Sequence, residues 1–190
     1  MIKNNAQWAQ ESITTLVDHI ESTHHEFLKR EMPIIENMLD HLNVHASRHD
    51  AELCRTIIAP LLRVFHGLRQ ELEQHLFKEE RILFPYIRQL DAFCHQQGGE
   101  PCIPCGTSVG PIQQMEFEHQ IAANALREIR ELTGNYECPQ SSNFLFEACF
   151  KKMQEFDLDL TQHMGLENDL LFPRTAQLES DGFPPKHLHS

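Results

Sequence analysis

Apolar residues recur along this chain at steps of three and four, the spacing of helices that bury one face. Leu61, Phe65, Leu68 and Leu72 form one such stripe, and Cys149, Met153, Phe156 and Leu160 form another. A third runs through Ile112, Met115, His119, Ala122, Leu126 and Ile129. The pattern predicts four long helices, from about Ser12 to Leu42, Asp50 to Leu90, Gly110 to Leu132 and Ser142 to Leu178, with Ser12 and Asp50 as N-caps. Thr133-Gly134-Asn135 and Cys138-Pro139-Gln140-Ser141 punctuate the last turn, and a Gly/Pro/Cys-rich loop at about 94–110 separates the middle helices. No segment alternates with period two. The expected fold is therefore all-α: an up-down-up-down antiparallel four-helix bundle over residues 1–180, with a loose tail at 181–190.

The first helix carries two stripes. Ile13, Val17, Ile20, His24 and Phe27 make one; His25, Leu28, Met32, Ile35, Leu39 and Leu42 make the other. Periodicity does not choose between His24 and His25. Pro33 is expected to kink this helix and switch the stripes.

The seams then turn polar. The second stripe continues into His75, Glu79 and Ile82, and the fourth into His163, Glu167 and Leu170. The pattern H-x3-E-x3-L-F-P occurs at His75 to Pro85 and again at His163 to Pro173. Residues four apart share a helix face, so each His–Glu pair points at one spot. A carboxylate buried without compensation costs several kcal/mol or neutralises itself. Bound cations supply the missing charge. Ligands of one centre must also share one level of a bundle. His25 and His75 are centred on Asp50, His75 and His119 on Gln97, His119 and His163 on Ser141, each midpoint in a predicted connection. His45 fails this test, lying at the first corner, roughly 40 Å along a helix from His75. His41, His45, His49 and His66 are read as corner or surface residues, and His19 as structural.

Composition narrows the function. The chain has 190 residues, 41% of them apolar and 23% charged, enough for one domain with a sizeable core. A net charge of -12 disfavours nucleic acid and anionic membranes as partners. The N-terminal residues hold no apolar signal region, and no apolar run is long enough to span a bilayer. The six cysteines are accordingly expected to be reduced thiols in the cytoplasm. Thirteen histidines are the anomaly. Imidazole and carboxylate donors with no thiolate in the seams favour iron or manganese over structural zinc or copper(I). Open positions on such ions bind O2, NO or peroxide. Glu116, three residues before His119, is a further candidate ligand. Cys94 and the Cys102-x2-Cys105 pair are a weak metal or redox signal.

These motifs resemble the hemerythrin-like cation-binding family and, within it, the RIC group (repair of iron centres). The similarity covers about Thr14 to Arg174. It rests on Asp18-His19 followed by His25 and Arg30-Glu31-Met32-Pro33; on His75-x3-Glu79-Glu80-x-Ile-Leu-Phe-Pro85; on Gly110-Pro111-Ile112-x2-Met115-Glu116-x-Glu118-His119; and on His163-x3-Glu167-Asn168-x2-Leu-Phe-Pro173. The resemblance places the first-helix ligand on His25. It implies two iron ions with an oxo or hydroxo bridge, terminal ligands His25, His75, His119 and His163, and bridging Glu79 and Glu167. The implied role is repair of iron–sulfur clusters damaged by nitric oxide or peroxide, through iron delivery or NO chemistry, with iron–sulfur proteins as clients. Reversible O2 or NO binding is the alternative. A carrier keeps a fifth histidine, and Met115 and Ala123 flank His119 where one would stand. A two-metal hydrolase is disfavoured by the lack of a polar cleft in the motifs. The RIC group often carries a separate N-terminal Cys-Cys domain, for which these residues have no counterpart.

Overall fold

The computed structural model describes residues 5–44, 51–96, 98–101, 106–138 and 144–182. Their regular structure is entirely helical: a single turn, α1 (Asn5–Trp8), and four long helices. These are α2 (residues 13–44), α3 (residues 51–94), α4 (Val109–Thr133) and α5 (residues 144–182). Ser12 caps α2 as its sequence suggests, its hydroxyl accepting from the Thr15 N–H at 3.0 Å. Gly134 closes α4 in the left-handed region (φ 57°), where a side chain would be disfavoured. The last helix reaches Gly182, two residues into the expected tail. The proposed Asp50 cap, His45, His49, Cys102, Cys105 and residues 183–190 lie outside the described residues.

Helix α2 packs on α3 and α5, α4 packs on α3 and α5, and the C-terminal parts of α3 and α5 also meet. The interior they enclose is layered. One apolar layer gathers Leu28, Met32, Ile35, Leu61, Phe65, Leu72, Ala122, Leu126, Met153, Phe156 and Leu160. A second gathers Trp8, Ile13, Ile20, Leu83, Phe84, Ile112, Met115, Leu171 and Phe172. Read along each helix, the buried histidines and the fully buried glutamates fall between these two sets: His24 and His25 between Ile20 and Leu28, His75 and Glu79 between Leu72 and Leu83, His119 between Met115 and Ala122, His163 and Glu167 between Leu160 and Leu171.

Three of the four π-helical segments among the described residues fall at the polar layer; the fourth, Cys54–Ile58, lies near the start of α3. π-helical turns occupy Ile20–His25, Glu79–Leu83 and Glu167–Leu171. A π-turn inserts one residue and advances the helix face by that residue. Two expectations are corrected by it. Ile82, assigned to the seam, is 41% exposed, and Leu83 takes the buried position. Leu170 likewise yields to Leu171, which is fully buried. In α2 the switch between stripes falls at the π-turn, which precedes Pro33; the helix continues through Pro33 to Val44. His24 and His25 are consequently both buried.

Candidate metal centre

Two overlapping donor groups form in the polar layer. His25, Glu79, His163 and Glu167 offer ligand atoms within 4.8 Å of one another, and so do His75, Glu79, His119 and Glu167. Both glutamates belong to both groups. The i, i+4 spacing on α3 and α5 delivers each His–Glu pair, and α2 and α4 each add one imidazole. All six side chains expected from the sequence are thus brought together.

The geometry inside the cluster is that of donors turned towards shared centres. The Nε2 atoms of His25 and His163 lie 3.2 Å apart, and those of His75 and His119 3.1 Å apart. Two nitrogens bound at right angles to one metal ion at about 2.1 Å would be separated by about 3.0 Å. Glu167 directs Oε1 to His163 Nε2 (3.0 Å) and Oε2 to His119 Nε2 (3.1 Å), spanning the two groups. Glu79 Oε2 stands 3.4 Å from both His25 and His75. Although nitrogens crowd them, none of the four carboxylate oxygens is aligned as a hydrogen-bond acceptor. Both glutamates are fully buried. Buried oxygens without aligned donors are costly unless something else neutralises them, and the residues present fit a cation pair.

In the metal-free protein, protons take part of that role. Burial alone would push the imidazoles down, but Glu79 and Glu80 raise His25 to about 9. Glu79 and Glu118 likewise raise His75 to about 10 against its burial. Burial prevails at His163 and lowers it. Burial and the charge of Glu167 push the Glu79 carboxyl up, yet the facing imidazoles hold it below the ordinary carboxylate range. His163 and His119 overcome burial to hold Glu167 well below that range. Two imidazolium charges thus face two carboxylates at neutral pH.

Sequence reasoning gave no role to the residues behind the imidazoles. His25 Nδ1 pairs with Glu80 Oε1 (2.8 Å), which Lys29 also holds at 2.6 Å. His75 Nδ1 pairs with Glu118 Oε2 (2.9 Å), and Lys78 and Gln114 donate to the other carboxylate oxygen, Oε1. His119 Nδ1 meets Asn168 Oδ1 at 2.8 Å. Such partners fix ring orientation and raise ligand basicity. Their signal was adjacency: Glu80 follows Glu79, Glu118 precedes His119, and Asn168 follows Glu167. Both acids are depressed to about 2, Glu80 chiefly by His25, and Glu118 by His75 and Lys78 against its burial.

The remaining candidates fall outside the cluster. Glu116 is exposed on α4 and belongs to neither donor group. His24, though buried, also lies outside both groups, and its Nδ1 pairs with Asp159 Oδ1 at 3.0 Å. His41 is exposed, and His66 is exposed and hydrogen-bonded to Glu36. His19 stacks on Trp8 at 4.3 Å. Cys94 Sγ reaches the Leu178 carbonyl at 3.6 Å. No helix among the described residues is long and apolar enough to cross a membrane.

Four long helices closed around a buried histidine–glutamate cluster describe a cation-binding helical protein, and the chain belongs to the hemerythrin HHE cation-binding domain family, whose model matches residues 15–175. Its relatives narrow the class. It is 32% identical to the iron-sulfur cluster repair protein YtfE of Yersinia pseudotuberculosis, over 93% of this chain and 72% of that protein. It is 34% identical to YtfE of Dickeya chrysanthemi, over 90% of this chain and 70% of that protein. A Haemophilus influenzae protein named as a probable iron-sulfur cluster repair protein is 31% identical, over 90% of this chain and 69% of its own length.

Proposed function

We propose that this protein is a di-iron protein that serves the repair of iron–sulfur clusters damaged by nitrosative or oxidative stress. The carrying observation is the pair of buried donor groups that share both Glu79 and Glu167. In this reading His25 and His163 would hold one iron, His75 and His119 the other, and Glu79 and Glu167 would be shared by both. The four long helices run up-down-up-down, so that residues far apart in the chain meet at one level. Nitrogen and oxygen donors without thiolate suit iron, with manganese next and zinc less so. Bound there, the iron pair would supply exchangeable iron and open positions for a diatomic ligand.

The chain's own residues set the terms. Each group provides two imidazoles and a share of two carboxylates, which leaves room for small ligands. A surface cleft of about 340 Å³ between α3 and α4 is lined by Lys78, Ile82, Leu83, Pro111, Gln114 and Met115, the last one turn before His119 on α4. Its largely apolar wall suits O2 or NO better than a charged substrate. The relatives' names favour cluster repair over reversible O2 or NO carriage. Among the described residues Cys94 and Cys149 are free thiols, which fits work in the reducing cytoplasm.

The test uses protein loaded anaerobically with ferrous iron and mixed with an iron–sulfur enzyme inactivated by NO. Activity should return beyond that given by the same amount of free iron, and Glu79→Ala should abolish the excess. Recovery no better than free iron would overturn the repair role. A stable, reversible O2 adduct of the reduced protein would instead establish carriage.

A further inference from the structure

Three of the four clustered imidazoles are anchored at the outer nitrogen by a side chain of a neighbouring helix, as given above for His25, His75 and His119. His163 is the exception. Its Nδ1 is buried and has no hydrogen-bond partner among the described residues. What lies against this ring is His24, stacked at 5.9 Å with an interplanar angle of 17°. His24 is in turn fastened by Asp159, one turn before His163 on α5. His24 Nε2 and Asp159 Oδ2 are also buried without partners. Behind them, His19 packs edge-on against His24 at 5.5 Å.

Unpaired buried polar atoms are uncommon and call for an explanation. Here three of them belong to three side chains packed together on one side of the cluster, and none belongs to the His75 and His119 imidazoles. Loss of an outer partner costs a ligand roughly 10–100-fold in metal affinity. A ring held by stacking alone is fixed less firmly than one anchored to a carboxylate or amide on a rigid helix.

We infer that the two cation positions are unequal: the one at His25 and His163 exchanges its ion, the one at His75 and His119 retains it, and His24 with Asp159 acts as the positioning pair that sets how readily His163 lets go. This rests on the two-cation reading above and adds to it which ion is available for delivery. No change in oxidation state is involved. Bonds from His25, His163 and the shared carboxylates of Glu79 and Glu167 to the departing ion break, the glutamates stay with the retained ion, and the receiving chelator or client forms the replacements.

The experiment follows iron release from the full chain, loaded anaerobically with two ferrous ions, into an excess of a coloured ferrous chelator. Two equal phases are expected, separated in rate by roughly 10–100-fold. Asp159→Ala should speed the fast phase by roughly tenfold and leave the slow one unchanged. Asp159→Asn, which still accepts from the His24 Nδ1–H, should behave like the wild type. Glu118→Gln should speed the slow phase instead and draw the two together. A single release phase for two bound ions in the wild type would overturn the inference and leave the di-iron reading standing. So would an Asp159→Ala protein that holds two ions and releases them at wild-type rates. Failure of the wild type to bind two ions would overturn both.

Discussion

Leu61 to Leu72 and His75 to Phe84 follow one another on α3, yet they obey different rules. The first stretch is regular α-helix with leucine and phenylalanine in the seam, and every seam position expected from the spacing is buried. The second carries imidazole and carboxylate in the seam, widens into a π-turn, and buries Leu83 where the spacing called for Ile82. The same contrast recurs on α5 between Cys149 to Leu160 and His163 to Phe172. In these two apolar stretches the backbone keeps its ideal pitch, and burial stabilises it at about 25 cal/mol per Å². On the three helices that carry π-turns at the cluster the pitch adjusts, a departure often found at functional sites, whereas α4 presents His119 from a regular helix.

That contrast can be broken most severely at the shared carboxylates. Glu167→Ala removes a ligand common to both groups, and metal analysis should find iron falling from two per chain to one or none. Retention of a spectrally unchanged pair would mean that the polar layer is not the metal site. The next effect separates the regions by pH. His25 and His75 are raised above the ordinary 6.5, to about 9 and about 10. The stability they lend the metal-free protein is complete below pH 6.5 and is lost as pH climbs through those values. Its melting temperature should therefore fall between pH 6.5 and 10. Cation binding should instead strengthen over the same interval, because the imidazoles must lose their protons to bind.

In the apolar region, Phe156→Ala should cost about 3–5 kcal/mol in denaturant unfolding of the metal-free protein. The variant should still bind two ions once folded; loss of both would show that the layers are not separable. Asn168→Ala, which removes only the anchor behind His119, should weaken iron binding roughly 10–100-fold in competition with a chelator. The smallest effect is expected at His45→Ala, which should leave metal content unchanged. Loss of iron there would mean that residues far along the chain from the cluster contribute to it.

Much of this was legible in the residues alone. The four helical segments followed from the spacing of their apolar positions, and the start of α2 from Ser12. The donor set followed from the twice-used H-x3-E-x3-L-F-P pattern and from His119 in the middle of an otherwise apolar stripe. Other features were not legible. An α-helical period cannot locate a π-turn, so Ile82 was placed on the wrong face, Leu170 was given the fully buried position that Leu171 takes, and the stripe switch in α2 was laid to Pro33. Glu116 fitted a familiar Glu-x-x-His spacing but projects into solvent, while Glu118, with no spacing rule to single it out, anchors His75 across the α3–α4 contact.

By itself the sequence determined that four helices would each bring polar donors to a common depth, because periodicity and distance from the connections are properties of one dimension. Periodicity left His24 and His25 open and the family resemblance chose His25; only the tertiary structure decided that His24 stacks beside the cluster, and that among the described residues His163 alone of the four imidazoles lacks an anchor at its outer nitrogen. Those outcomes depend on a local change of helix pitch and on which side chains face one another across helices, and neither is encoded in the spacing along a single strand of chain.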